Sequence, residues 1–239
     1  TGAGSGIGLA TAKRLAAEGA KVVAVDMNET AGKAVADEIK GIFVKADVTT
    51  RNDVENMYKV AFDTYGRIDI AFNNAGISPP DDDSILITEI DAWERVLRVN
   101  TTSVYLCCKA VIPYMQKGGK GSIINTASFV ATMGAATSQI AYTASKGGVL
   151  AMSRELGVQF AREGIRVNAI CPVMGATGLI EQFLGTADTP EARARITAGI
   201  PLGRMSTPED VAQAALYLAS DASAFITGVE LPVDGGRTI

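Results

Sequence analysis

The residues TGAGSGIG at Thr1–Gly8 are followed by a helix-like run that ends at Gly19 and places Ile7, Thr11 and Leu15 on one face. Glycines at every second position allow a tight backbone turn and the close approach of a ligand. The helix that follows offers free N–H groups and the positive end of its dipole to an anion such as a pyrophosphate. The alternative is an ordinary glycine-rich loop, and the rest of the chain must decide between the two.

Short apolar strand patterns alternate with helical patterns along the whole chain. The strand patterns are KVVAV, IFVK, IDIAF, GSIINTA, IRVNAI and VELPV. This alternation predicts an α/β fold of the Rossmann-like type, a doubly wound parallel sheet of about seven strands with helices on both faces. Six strands are visible, and because such a glycine turn normally follows a strand, we expect one more before Thr1. No linker or repeat interrupts the pattern, so we expect a single domain over residues 1–239.

Composition excludes several classes of function. The chain has 47% apolar residues, a net charge of −4 and a pI near 5.0, which argue against nucleic acid or an anionic membrane as a partner. It contains no apolar run of the roughly 18 residues that a membrane span needs. The absence of histidine excludes a Ser-His-Asp triad and the usual zinc sites. The three cysteines have no metal-ligand spacing, so we expect no metal site and a cytoplasmic, reducing location.

A second informative stretch is SFVATMGAATSQIAYTASK at Ser128–Lys146. Tyr142 and Lys146 have the i, i+4 spacing that puts two side chains on one face of a helix. A cation about 4 Å from the phenol would lower its pKa by about 3 units, from about 10 to about 7, where acid–base catalysis is most effective. Ser128, at the end of the pattern GSIINTA, could then polarise a carbonyl. The alternative is a chance Tyr-Lys pair in an unrelated helix.

Several motifs together resemble the short-chain dehydrogenase/reductase family in their order and spacing. They are TGAGSGIG, NNAG at Asn73–Gly76, Asn100, Ser128 and YTASK, and the resemblance runs from Thr1 to the closing LPVDGG. It implies reversible hydride transfer between a nicotinamide cofactor and a secondary alcohol or ketone. An epimerase or dehydratase that uses bound NAD is the nearest alternative, but such chains usually have a larger C-terminal domain. A dinucleotide sensor without catalysis is another, and it predicts loss of the Tyr or the Lys.

The resemblance also implies a role for each residue of the predicted catalytic group. Tyr142 is the general acid or base, and Ser128 stabilises the developing alkoxide. Lys146 lowers the pKa of Tyr142 and holds the nicotinamide ribose, while Asn100 supports a proton relay. The family usually has its serine 13 residues before the tyrosine, whereas Ser128 is 14 residues before Tyr142, so Ser138 stays open as an alternative.

The cofactor is expected to be NAD. Asp26 ends the second strand of the glycine-turn unit, 18 residues after Gly8, where a carboxylate can accept a hydrogen bond from a ribose 2′-hydroxyl. No cation that could hold the 2′-phosphate of NADP stands nearby in the sequence. The residues that the resemblance implies for the cofactor site are Gly2, Ser5, Gly6, Ile7, Gly8, Asp26, Asp47, Val48, Asn74, Ala75, Gly76, Tyr142, Lys146 and Thr177.

The segment CPVMGATG departs from the family, which usually has Pro-Gly at this place. Here Pro172 is followed by Val173 and Met174, which leaves the role of Thr177 as a contact to the nicotinamide carboxamide open. Residues 175–205 are predicted to form a partly helical lid over the substrate. Because the lid is rich in aliphatic residues, we expect a small or medium apolar ketone or alcohol as the substrate, with an anionic or carrier-linked acyl chain second.

Two further expectations concern the surface. The apolar-rich helices at Tyr142–Phe160 and Val211–Leu218, together with the family resemblance, predict a homotetramer. The loop SPPDDDS at 78–84 carries three aspartates in a row. We interpret it as a solvated surface turn rather than a metal site.

Overall fold

The structure is a computed structural model that describes residues 1–173 and 187–239. Thr177 and the first part of the predicted lid lie outside these residues. The described strands are β1 (Val23–Asp26), β2 (Ile42–Lys45), β3 (Ile70–Asn73), β4 (Gly121–Thr126), β5 (Ile165–Pro172) and β6 (Glu230–Val233). The described helices are α1 (Gly6–Ala17), α2 (Glu29–Glu38), α3 (Arg51–Tyr65), α4 (Ile90–Leu97), α5 (Ser103–Gly118), α6 (Ile140–Gln159), α7 (Pro190–Thr197) and α8 (Pro208–Ala219).

All strand pairs in the described residues are parallel, which confirms the predicted α/β architecture. β1 pairs with β2, and a second sheet has the order β3-β4-β5-β6. Side chains of β4 alternate between two cores, as the pleat of a strand requires. Ile123 packs with Val111 of α5 and Val149 of α6, whereas the next residue, Ile124, packs with Leu218 of α8. Helices therefore cover both faces of this sheet.

The first residues of the chain connect the two sheets at the carboxyl ends of their strands. The amino group of Thr1 donates a hydrogen bond to the carbonyl of Phe72 in β3 (3.0 Å), and the N–H of Ala3 donates to Val25 in β1 (3.1 Å). Beyond them, between β1 and β3, lies a cavity of about 450 Å³ that is also lined by α1 and α3.

Arg98–Thr102 form a wide π-helical turn that joins α4 to α5 and contains Asn100. The side chain of Asn100 is fully buried, and its amide binds the backbone of Ile77 instead of its own helix. A polar side chain that competes for backbone groups is a known cause of local change in a helical ladder. Among the described helices, none is long and apolar enough to cross a membrane.

Candidate active site

A cavity of about 730 Å³ lies along the carboxyl ends of the strands, between the start of α1 and the first turns of α6. This is the edge at which open α/β sheets bind their ligands. Most of the predicted site residues line it, namely Gly2, Ser5, Gly6, Ile7, Asp26, Asp47, Val48, Asn74, Ala75, Gly76, Ser128, Tyr142 and Lys146. Gly8 and Asn100 do not line the cavity but support residues that do. Thr177 lies outside the described residues.

The glycine turn presents the start of α1 to the cavity. Ser5 is the N-cap of α1 and forms no side-chain capping bond, so the first N–H groups of the helix are available to a ligand. Gly8 makes the turn possible, because a Cβ at this position would stand 2.0 Å from the carbonyl oxygen of Gly2. Gly2 itself has φ of +65°, a conformation that side chains disfavour. Gly8 therefore shapes the turn, and Gly6 and Ile7 line the cavity at the start of α1.

The carboxylate of Asp26 is fixed at the tip of β1. One oxygen accepts a hydrogen bond from the N–H of Gly4 (2.7 Å) and the other accepts from the N–H of Asn28 (2.8 Å). These two bonds anchor the carboxylate between the glycine turn and the start of α2, at the edge of the cavity. A carboxylate that is held in this way retains lone pairs for a ligand hydroxyl.

Asn74 ties the end of β3 to the glycine turn. Its side-chain amide donates to the carbonyl of Thr1 (3.2 Å), and its own N–H donates to the hydroxyl of Thr1 (3.0 Å). The hydroxyl of Thr126, at the end of β4, donates to the amide oxygen of Asn74 (3.4 Å). Asn74 thus positions the wall of the cavity through its side chain.

Tyr142 is buried and lines the same cavity as Asp26. Burial raises the pKa of its phenol to about 12, and a hydrogen bond with Ser128 partly offsets this rise. Ser128, at the end of β4, is the serine that contacts Tyr142. Ser138, the alternative that the spacing left open, is exposed and does not line the cavity.

Lys146 lies one turn after Tyr142, but its ammonium is turned towards the sheet. Its Nζ donates a hydrogen bond to the carbonyl oxygen of Thr126 (2.8 Å) and lies 5.6 Å from the centre of the Tyr142 ring. Burial lowers the pKa of Lys146 to about 8. The expected fall of the Tyr142 pKa towards 7 is therefore wrong for this structure, because desolvation of the phenol outweighs the more distant cation.

Asn100 joins three parts of the site. Its amide oxygen accepts from the N–H of Ile77 (2.8 Å), and its amide nitrogen donates to the carbonyl of Ile77 (2.8 Å). The same nitrogen donates to the hydroxyl of Ser145 on α6 (3.1 Å). A Cβ on Gly76 would lie 3.1 Å from the amide oxygen of Asn100 and 3.5 Å from Nζ of Lys146. Asn100 therefore lies close to Lys146, behind the part of the cavity wall that Gly76 forms.

Sequence reasoning missed several residues of the site. Met27, Thr49, Arg95, Arg98 and Thr126 line the cavity without belonging to a recognisable motif. The interpretation of SPPDDDS as a solvated turn is wrong for one of its aspartates. Asp82 is only 6% exposed, and its carboxylate accepts hydrogen bonds from the first turn of α6. No local sequence signal indicates this contact, because its partners are 59 and 60 residues away along the chain.

The donors and charges along the cavity fit a dinucleotide. An open helix start suits a pyrophosphate, and the carboxylate of Asp26 on one side suits the hydroxyls of a ribose. On the other side, Tyr142 can exchange a proton with an oxygen atom of a substrate, and Ser128 can donate a hydrogen bond to the same oxygen.

Comparison with known proteins also points to a dehydrogenase or reductase. The family model described as enoyl-(acyl carrier protein) reductase matches residues 2–238. The chain is 38% identical to 2-(S)-hydroxypropyl-CoM dehydrogenase 3 of Xanthobacter autotrophicus, over all of this chain and 94% of that protein. It is 40% identical to secoisolariciresinol dehydrogenase of Forsythia intermedia, over all of this chain and 87% of that protein.

A solved structure shares the whole fold. The 3-ketoacyl-(acyl-carrier-protein) reductase of Brucella melitensis, in complex with NADH, superposes with a TM-score of 0.91 at 36% identity. The match covers all of this chain and 96% of that chain. With a family model over almost every residue and relatives named as dehydrogenases and reductases, the protein is an oxidoreductase that belongs to the short-chain dehydrogenase/reductase family.

Proposed function

We propose that this protein interconverts a secondary alcohol and a ketone with NAD(H) as the hydride carrier. The observation that carries the proposal is the convergence of Ser128, Tyr142 and Lys146 on one side of a single cavity that has the carboxylate of Asp26 on another. When bound, the nicotinamide cofactor supplies or accepts the hydride. The residues of the chain bind it, orient the substrate oxygen and move the proton.

In the direction of ketone reduction, Tyr142 donates its phenolic proton to the oxygen that becomes the alcohol. Its raised pKa keeps the phenol protonated at neutral pH, as an acid in this direction must be. Ser128 donates a second hydrogen bond to the same oxygen and so stabilises the developing negative charge. Lys146 holds the nicotinamide ribose from its place one turn along α6, and Asn100 fixes the wall behind it.

The preferred cofactor is NAD(H). Support comes from the geometry of Asp26, whose carboxylate is anchored by Gly4 and Asn28 at the edge of the cavity. A 2′-phosphate in the same place would bring two like charges together, which disfavours NADP. The reductase of Brucella melitensis, which shares this fold, was solved with NADH.

The substrate is an uncharged, mainly apolar ketone or alcohol of small or medium size. The cavity near Tyr142 is lined by Phe129, Pro172 and Val173, which favour apolar groups next to the reacting oxygen. Two of the relatives are named as dehydrogenases, of 2-(S)-hydroxypropyl-CoM and of secoisolariciresinol.

The experiment uses NADH formation at about 340 nm with a panel of secondary alcohols, and NADH consumption with the matching ketones. Active protein oxidises at least one alcohol and reduces its ketone. Tyr142→Phe should lower kcat by at least about 1,000-fold, because it removes the proton donor, and leave the Kd for NADH within about threefold. Tyr105→Phe removes an exposed phenol on α5 and is the matched control. A near-native rate for Tyr142→Phe would refute the assignment.

The assembly is a homotetramer in this proposal. Support comes from large apolar side chains that are exposed on or next to the helices that flank the sheet. Val158 on α6 and Phe225 after α8 are two of them. Closed symmetric assemblies bury such surfaces. Light scattering at micromolar concentration should give four times the mass of 24.9 kDa, and a monomer mass would refute this part.

The location is cytoplasmic in this proposal. Its support is chemical, because all three cysteines are buried free thiols and thus suit a reducing compartment. Fractionation of the native cells should recover the activity with cytoplasmic markers.

A further inference from the structure

The helix that carries Tyr142 and Lys146 is capped by a distant segment. Gln139, the N-cap of α6, forms no side-chain capping bond. The N–H of Ala141 instead donates to Oδ1 of Asp82 (2.9 Å), and the N–H of Tyr142 donates to Oδ2 of the same carboxylate (2.7 Å). The preceding N–H, of Ile140, donates to the peptide carbonyl of Asp83 (3.1 Å). These are three of the four N–H groups that a helix start leaves without partners.

The loop that carries Asp82 is held in place by its own hydrogen bonds. The N–H of Asp82 donates to the carbonyl of Pro79 (3.2 Å), and the N–H of Asp83 donates to the hydroxyl of Thr88 (2.9 Å). Arg95 of α4 forms a two-oxygen contact with Asp81 at 2.7 and 2.6 Å. Asp82 as a residue is only 6% exposed, so these contacts fix the position of its carboxylate and burial keeps water from replacing it.

The other side of the Tyr142 backbone is held by a second chain of contacts. The carbonyl of Tyr142 accepts from the hydroxyl of Ser145 (2.7 Å), which in turn accepts from the amide of Asn100 (3.1 Å). Asn100 binds both backbone groups of Ile77. Ile77 stands five residues before Asp82 on the same segment. The contacts therefore form a closed ring that fixes both the backbone N–H and the backbone carbonyl of Tyr142.

We propose that Asp82 is a positioning residue that holds the phenol of Tyr142 in its reactive place. The inference rests on the proposed function for the role of Tyr142 as acid and base. The carboxylate acts on the peptide N–H of Tyr142 itself, at the first turn of the helix, where the helical ladder gives no support. Without it, two buried N–H groups lose their acceptor and the first turn moves to find another.

A displaced first turn has a specific kinetic effect. Tyr142 shifts relative to Ser128, which lies two residues after β4 at the start of the turn Phe129–Ala131, while the glycine turn and Asp26 keep their places. An error of about 1 Å in the position of a reacting group can cost about 100-fold in rate. Cofactor binding should therefore survive a change that lowers kcat.

The test compares Asp82→Asn and Asp82→Ala with Asp83→Asn. Asparagine keeps the shape of aspartate and one acceptor oxygen. Its NH₂ group cannot accept a hydrogen bond, so one of the N–H groups of Ala141 and Tyr142 loses its acceptor. Asp83→Asn makes the same chemical change one residue away, on an exposed side chain, and keeps the peptide carbonyl that Ile140 uses. For each variant, kcat is normalised to the NADH-binding sites counted by fluorescence titration, so that unfolded molecules do not contribute.

We expect kcat per binding site to fall about 10-fold in Asp82→Asn and about 100-fold in Asp82→Ala. The Kd for NADH should stay within about threefold in both, and Asp83→Asn should match the unmodified protein. A kcat per binding site within about twofold of the unmodified value in Asp82→Asn and Asp82→Ala would overturn the proposal. So would loss of all NADH binding in both, because the carboxylate would then serve folding alone.

A second readout does not depend on turnover. With tyrosine labelled by ¹³C at Cζ, the protein has 6 phenol resonances, and that of Tyr142 is identified by its absence in Tyr142→Phe. Asp82→Asn should shift this resonance, and Asp83→Asn should not. If the unmodified protein turns over no substrate, the proposed function fails, but a shift in this spectrum still supports the positioning contact. An unchanged Tyr142 resonance in Asp82→Asn would overturn it.

Discussion

The ammonium of Lys146 lies one helical turn from Tyr142, yet it donates its hydrogen bond to the carbonyl oxygen of Thr126 at 2.8 Å. The cation is therefore anchored to the end of β4 and stands 5.6 Å from the centre of the phenol ring. Both side chains are buried, and burial favours the neutral form of each, so the pKa of Tyr142 is raised to about 12 and that of Lys146 is lowered to about 8. At neutral pH the phenol holds its proton.

The two directions of the reaction should therefore depend differently on pH. Ketone reduction needs the protonated phenol, which is the main form throughout the neutral range, so its kcat/KM should be nearly constant from about pH 6 to about pH 7.5. Alcohol oxidation needs the phenolate, so its kcat/KM should rise with pH from neutral into the alkaline range. Initial rates in both directions, over one buffer series, check this. An oxidation rate that falls with rising pH would contradict it.

The buried ammonium of Lys146 should also make stability depend on pH. Its folded pKa of about 8 lies below the ordinary lysine pKa of 10.5, so the unfolded chain binds more protons between these values and the stability contributed by this group rises with pH. Below about pH 8 the full cost of burying the charge is present. Lys146→Met removes this cost at every pH. Between about pH 7 and about pH 10.5, the unfolding free energy of the unmodified protein should therefore rise relative to that of Lys146→Met by up to about 3 kcal/mol.

Urea unfolding of both proteins at each pH measures that difference. The comparison cancels the other groups with raised pKa values, such as the buried thiols of Cys107 and Cys171, because both proteins contain them. A difference that does not change with pH would show that the ammonium is solvated in the folded state.

Helical periodicity and turn chemistry made much of this site predictable. The i, i+4 spacing alone put Tyr142 and Lys146 on one face of a helix, and the glycine turn indicated an anion site at the start of α1. The direction of the Tyr142 pKa shift was not predictable. It depends on how deeply the phenol is buried and on the partner that the ammonium finds, Thr126, which is 20 residues away.

Long-range contacts from irregular segments were also beyond prediction. Asp82 stands in a loop without periodicity, and three consecutive aspartates by themselves suggest solvation. Its partners are decided by how the loop packs against the start of α6. The contact of Asn100 with Ile77 has the same origin, because it depends on how the segment after β3 packs against the turn at Arg98–Thr102.

The glycine turn gives a steric prediction. A Cβ at Gly8 would stand 2.0 Å from the carbonyl oxygen of Gly2, which is backbone and cannot move alone. Gly8→Ala should therefore weaken NADH binding by at least about 10-fold and lower Tm, because the turn must open. At Gly118, at the end of α5, a Cβ would meet nothing within 4 Å, so Gly118→Ala is the control and should leave binding unchanged. Fluorescence titration with NADH and thermal unfolding measure both effects, and native affinity in Gly8→Ala would rule out this packing.

Cofactor choice should depend on Asp26. Its two carboxylate oxygens are held by the N–H groups of Gly4 and Asn28, which fixes the negative charge at the edge of the cavity. A ribose 2′-hydroxyl can donate a hydrogen bond to it, and such charge-assisted bonds contribute about 1.5 to 3 kcal/mol. A 2′-phosphate instead adds like charge in a partly desolvated place. The ratio of kcat/KM for NAD to that for NADP should therefore be about 100 or more.

Two variants separate the charge from the hydrogen bond. Asp26→Asn removes the charge but keeps an acceptor, so it should reduce the ratio mainly by improving the use of NADP. Asp26→Ala removes both and should reduce the ratio mainly by weakening the use of NAD. Asp37→Asn, on the exposed side of α2, changes the net charge by the same amount as Asp26→Asn and should leave the ratio unchanged. Equal use of the two cofactors by the unmodified protein would show that the carboxylate does not face the ribose, whatever the variants do.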